Sequence, residues 1–209
     1  MFGEDFLQRA IIAAPVILFS LTVHEFFHAW SADKFGDPTA KNLGRLTLNP
    51  LAHLDLMGTI MMVASGFRFG WAKPVPVNPF NLRNRRLANL WISAAGPLSN
   101  VGLAIIAGII FRMIRAAGVE LSPMAFQFLA YAVTINITLA VFNMIPLFPL
   151  DGSHILKSLV PEEMEVTLTK LDAFAPVILI ALMFTGLLWM FLWPPVNAII
   201  TLIIGFRLY

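Results

Sequence analysis

Four long apolar runs divide the chain, over residues 10–30, 87–114, 124–147 and 174–193. Each is long enough to cross a bilayer as a helix, which takes ~20 residues. Shorter apolar pieces cover 56–67 and 196–206. The first is too short for a span and fits a re-entrant or interfacial segment; the second is a tail that crosses or lies partly buried. Between residues 70 and 78 the chain reads Gly70-Trp71-Ala72-Lys73-Pro74-Val75-Pro76-Val77-Asn78. Prolines at this spacing exclude helix and central strand and predict an extended edge segment. Turns are expected at Gly36-Asp37-Pro38 and Asn49-Pro50, in a polar loop over 31–55. Pro146 and Pro149 end or break the third run just before Asp151. The pattern predicts an all-α polytopic membrane protein with further C-terminal transmembrane segments and a short re-entrant or edge-strand element.

Composition agrees with that pattern. The 209 residues are 58% hydrophobic and only 12% charged, and mean hydropathy is +0.80. This leaves room for about five or six spans and none for an appended soluble domain, so residues 1–209 are expected to form a single integral membrane domain. A net charge of +2 without a long basic run argues against a nucleic-acid partner. The absence of cysteine removes disulfides and thiolate ligands, so any metal must be held by His, Asp or Glu. The first run follows Glu4, Asp5 and Arg9 and carries His24, Glu25 and His28 inside it. Cleavage as a signal peptide would discard those residues, so the run is expected to be a retained span.

Charge sets the expected orientation. Of the 14 Lys and Arg residues, eight (Lys34, Lys41, Arg45, Arg68, Lys73, Arg83, Arg85 and Arg86) fall between the first and second long runs. The positive-inside rule places that region in the cytoplasm. The first and third runs then both end at the cytoplasmic side, bringing His24, His28 and Asp151 toward one face of what is expected to be the cell membrane. The same parity requires that 56–67 not make an unpaired crossing.

Two imidazoles and a carboxylate within one apolar run are costly, roughly 2.5–3.5 kcal/mol for a charged residue at the bilayer centre on insertion scales, and such residues mark functional sites. His24 and His28 are four residues apart and share a helical face, with Glu25 beside them. This is the HExxH arrangement, in which the histidines bind zinc and the glutamate acts as general base. Zinc held by two His needs a third protein ligand and an open position. Asp151 is the leading candidate, because the flanking prolines free the backbone at the end of an apolar run. Lone histidines in polar segments, His53 and His154, need no catalytic role. A metal-binding membrane transporter or a non-proteolytic zinc protein would use the same residue types. A transporter, however, predicts ionisable residues on several spans, and the central stretches of the second and fourth runs have none.

HEFFH at 24–28, GPLSN at 96–100 and NMIPLFPLDG at 143–152 together resemble the signatures of the site-2 protease family of intramembrane zinc metalloproteases. The segments 49–58 and 70–78 resemble the minimal branch of that family, without PDZ or CBS modules. The resemblance implies a three-helix catalytic core, Zn2+ on His24, His28 and Asp151, and Glu25 as catalytic base. It also implies Asn100 and Asn143 as residues that hold substrate backbone or stabilise the oxyanion, and a membrane-associated hairpin near 71–78 that pairs with an unwound substrate. The implied substrate is a transmembrane protein or peptide, cut within its membrane helix.

Overall fold

A computed structural model describes residues 4–67 and 69–205, with side chains from Ala10 onward. Arg68, one of the loop cations, and Phe206, at the end of the expected apolar tail, lie outside the described residues. The helices are α1 (Glu4–Lys34), α2 (Thr39–Asn42), α3 (Leu56–Ala64), α4 (Arg85–Ala116), α5 (Pro123–Asn143), α6 (Asp151–Leu159), α7 (Glu162–Leu171), α8 (Ala175–Phe184) and α9 (Leu187–Ile204). No strand occurs among the described residues, and α1, α4, α5 and α9 are long and apolar enough to cross a membrane. The protein is an all-α, integral, multi-pass membrane protein.

Local chemistry starts these helices where the apolar runs begin. Asn84 caps α4 by accepting from Leu87 N–H, and Ser122 caps α5 by accepting from Ala125 N–H, with Pro123 at the first helical position. Helices α1, α4 and α5 pack together. One seam joins Ala32 of α1 to Ala88 and Ile92 of α4 through Leu82; another sets Ala104 and Phe111 of α4 against Val133 and Ile137 of α5 and Leu192, Val196, Ile200 and Ile204 of α9.

The fourth span differs from its predicted bounds. The sequence pattern places it over 174–193; instead α8 stops at Phe184, Gly186 takes a left-handed φ of 76°, and α9 runs through Pro194 and Pro195. Glycine at positive φ ends a helix at little cost, whereas a proline in a membrane helix is tolerated when neighbouring groups satisfy the freed carbonyls. Arg112, near the end of α4, donates to Leu202 O at 2.6 Å. The C-terminal end of α9 therefore lies beside the C-terminal end of α4, so α9 runs in the same direction as α4. Helices α7 and α8 meet at a 59° bend before it.

The two ends of the piece over 56–67 come back together. Met62 of α3 packs on Ala13 and Ile17 of α1, well down that span. The flanking residues Leu54 and Ala72 nevertheless pair in one antiparallel bridge. Asp55 caps α3 by accepting from Gly58 N–H at 2.8 Å. Gly58 is required for the return: a Cβ there would sit 2.1 Å from Trp71 O. The two ends of the segment thus lie side by side, and the expected hairpin reduces to that single bridge followed by an extended strap over 73–78.

Side chains of the polar loop fasten the strap. Asn78 N–H donates to Asp37 Oδ2 at 2.6 Å, and Asn81 Nδ2 donates to Asp37 Oδ1 at 2.8 Å. Burial alone would raise the Asp37 carboxyl, but donation from the side chains of Thr39 and Asn81 and from the N–H groups of Asn78 and Thr39 holds it below the usual carboxylate range. The stability Asp37 contributes is therefore present above the ordinary carboxylate range and is lost as pH falls through the lowered value.

Candidate metal centre

Helix α1 delivers two imidazoles to the face it shares with α4 and α5. His24 and His28 are 5% and 8% exposed. His24 Nδ1 lies 2.6 Å from Asn100 Oδ1, and His28 Nδ1 lies 2.7 Å from Ile92 O. Both partners accept, so both Nδ1 atoms carry the proton and both Nε2 atoms present lone pairs. The orientation of the Asn100 amide is fixed independently, because its Nδ2 donates to Ser20 O at 3.3 Å and to Asn136 Oδ1 at 2.9 Å. Asn136 is held in turn by donating to Ala132 O at 2.9 Å.

The two Nε2 atoms sit 3.0 Å apart. Two lone pairs at that distance repel unless a cation lies between or beside them. The turn after α5 supplies the counter-charge. Leu147 N–H donates to Ile145 O and Leu150 N–H to Leu147 O, which reverses the chain and starts α6 at Asp151 against α4. Gly152 permits the reversal, since a Cβ there would lie 2.3 Å from Met144 O. Asp151 Oδ2 is 3.2 Å from His24 Nε2, and Oδ1 is 3.3 Å from His28 Nε2. Asp151 Oδ2 is buried and has no hydrogen-bond partner, an expensive state for a carboxylate oxygen unless a cation takes that position.

One ligand atom from each of His24, His28 and Asp151 falls within 4.8 Å of the others, and this is the one such cluster of three among the described residues. Two imidazole nitrogens and a carboxylate oxygen, with room for a fourth position, form a donor set that suits zinc. Space for the ion is kept by Gly96 of α4. A Cβ at Gly96 would lie 2.4 Å from His28 Nε2 and 2.6 Å from His24 Nε2.

Glu25, 8% exposed, leaves α1 beside the cluster and accepts from Val75 N–H of the strap at 3.1 Å. Of the two asparagines expected at the site, Asn100 is fully buried and its amide is taken up by His24, Ser20 and Asn136. Asn143, the last residue of α5, donates to Leu139 O at 2.9 Å on its own helix. His154 is outside the cluster, with its ring 6.2 Å from that of Phe148. Asn136 and the Ile92 carbonyl carry no signal that composition or spacing could flag, and Gly96 is marked only by its place in the GPLSN segment.

The fold and the site define a membrane-embedded metallopeptidase. Residues 110–186 match the profile of peptidase family M50. The chain is 41% identical over 203 residues to YwhC of Bacillus subtilis strain 168, covering 93% of this chain and 92% of that one; that relative carries a zinc-metalloprotease name. It is 29% identical over 182 residues to Rip2 of Mycolicibacterium smegmatis, which also carries a zinc-metalloprotease name, covering 83% of this chain and 68% of that one. No solved structure matches. The chain belongs to peptidase family M50, the site-2 proteases, and is a zinc metallopeptidase.

Because Asn100 fixes the tautomer and pose of His24, Asn100→Ala is expected to weaken zinc binding about 10–100-fold. Competition with a chromogenic chelator measures this; unchanged affinity would remove Asn100 from the metal's support.

Proposed function

We propose that the protein hydrolyses a peptide bond within or beside the transmembrane helix of a membrane-protein substrate. In this reading His24, His28 and Asp151 hold the zinc, Glu25 is the catalytic acid and base, and residues 1–209 act as one membrane-embedded unit. The observation that carries the reading is the position of the cluster. It lies inside a span yet within three turns of the polar end of α1, about 9–15 Å at 1.5 Å per residue from Lys34, where water can reach it. The excess of Lys and Arg in the loop at that end supports a cytoplasmic-facing site.

A zinc ion in this donor set supplies Lewis acidity to water and to a scissile carbonyl. The remaining work falls to side chains of the chain. Glu25 accepts a proton as the water oxygen bonds to the carbonyl carbon, and returns it to the amide nitrogen as the C–N bond breaks. Asn100 and Asn136 hold His24 in place, and the saturated amide of Asn100 supports this positioning role over direct contact with substrate. Asn143 keeps a free carboxamide oxygen and amide hydrogen for substrate backbone. A helical substrate conceals its carbonyls, and the extended strap offers an edge on which an unwound segment can be held by β-addition.

The test is cleavage of a single-span reporter by the purified protein in lipid vesicles. Cleavage is expected, with loss on zinc chelation and recovery on adding zinc. An intact reporter accompanied by zinc flux across the vesicle would instead support the transporter reading.

A further inference from the structure

Arg45 sits in the polar loop between α2 and the turn at Pro50, yet it is only 6% exposed. Among the described residues it has no carboxylate partner. Its Nη2 donates to Lys73 O at 2.6 Å and its Nη1 donates to Pro74 O at 3.3 Å, while its Nε has no partner. His53 completes the clamp. His53 Nε2 donates to Thr47 O at 2.8 Å, which leaves Nδ1 to accept from Arg45 Nη2 at 3.5 Å, and His53 O accepts from Lys73 N–H at 2.8 Å. A buried cation held mainly by carbonyls is costly, so its placement asks for a reason.

The reason lies on the other side of one peptide group. Pro74 O, which Arg45 grips, and Val75 N–H, which donates to Glu25 Oε2 at 3.1 Å, belong to the same planar unit. In a trans peptide these two atoms point in opposite directions. The strap is therefore a bridge, with the guanidinium on one side and the active-site carboxylate on the other. The cation also polarises the peptide in the sense that strengthens its N–H as a donor.

We infer that Arg45 is a positioning residue for Glu25, acting through the Pro74–Val75 peptide. It fixes the plane of that peptide so that Val75 N–H immobilises Oε2 and leaves Oε1 as the atom that exchanges a proton with substrate and water. A glutamate side chain otherwise samples several rotamers, and a small misplacement of a catalytic group costs a large factor in rate. The inference rests on Glu25 being the base.

Two readouts test it. The first is hydrogen exchange of the strap. Pro74 and Pro76 lack amide hydrogens, so over 73–76 Val75 is resolved from Lys73 alone. Arg45→Met and Glu25→Ala are each expected to lose protection at Val75 while Asn78, bonded to Asp37, stays protected. The second is kinetic, with the single-span reporter. Arg45→Met is expected to lower kcat about 10–100-fold with KM and bound zinc unchanged, and Arg45→Lys to recover part of the loss. Val75→Pro, which deletes the N–H, is expected to give the same loss, and the Arg45→Met/Val75→Pro double variant no further loss. Full protection of Val75 in Arg45→Met, a rise in KM at unchanged kcat, additive losses in the double variant, or zinc release in Arg45→Met would each overturn it. Glu25→Gln separates the two readings: a working Glu25→Gln removes the base itself, whereas a dead Glu25→Gln beside an Arg45→Met of wild-type kcat removes only the role of Arg45.

Discussion

Glu25→Gln is expected to keep its zinc and to lose reporter cleavage by about 10²–10⁴-fold, the range general acid–base groups contribute. The substitution is close to isosteric. The glutamine carbonyl oxygen can still accept from Val75 N–H, as Glu25 Oε2 does at 3.1 Å, so the strap stays in place. His24, His28 and Asp151 are untouched, so the metal stays. On the proposed mechanism, what disappears is the ability to take a proton from water and return it to the leaving nitrogen. His24→Ala or Asp151→Ala removes a ligand and is expected to abolish zinc binding and cleavage together. Metal analysis beside the cleavage rate separates the two cases, and a Glu25→Gln protein with full activity would sink the assignment of the base.

The convergence of His24, His28 and Asp151 is legible in sequence because each partner leaves a local trace. Two histidines at helical spacing inside an apolar run are energetically anomalous, and a proline-broken run ending in Asp-Gly releases a carboxylate where a helix would otherwise continue. Charge asymmetry adds the long-range step by bringing both run ends to one face. That α3 is not long enough to span is legible for a related reason: the apolar piece that holds it is only twelve residues long.

The rest of the site rests on groups with no local trace. Ile92 contributes only a backbone carbonyl to His28. Asn136 looks like any amide in a membrane helix, where such groups commonly bond across helices, and its role follows only from being aligned with Asn100 and His24. Arg45 reads as one more loop cation under the charge rule, because burial of a loop side chain depends on how the loop folds back. The break at Gly186 is missed for a different reason. A continuous apolar run carries no mark of where a glycine inside it turns the chain, and Gly186, able to take φ 76°, ends the helix within the run.

The largest effect on the metal from outside its ligands is expected at Gly96. Its neighbourhood is the space beside both Nε2 atoms, since a Cβ would lie 2.4 Å from His28 Nε2 and 2.6 Å from both Cε1 and Nε2 of His24. Neither imidazole can retreat freely. His24 is fixed through Nδ1 to Asn100 and His28 through Nδ1 to Ile92 O, so relief requires breaking one of these bonds or moving α4 away from α1. Gly96→Ala adds one methyl group and otherwise raises helix propensity, which by itself would stabilise α4 by about 1 kcal/mol. The expected result is a folded protein that binds zinc at least about 100-fold more weakly, on the scale of losing an outer support of a metal site, and cleaves the reporter in proportion to the zinc it retains. Gly102→Ala, on the same helix with nothing within 4 Å of its Cβ position, should carry the propensity gain without the metal loss. The pair separates steric filling of the site from any general response of α4 to alanine: equal zinc affinity in both variants would mean that Gly96 does not hold open the space between the two histidines.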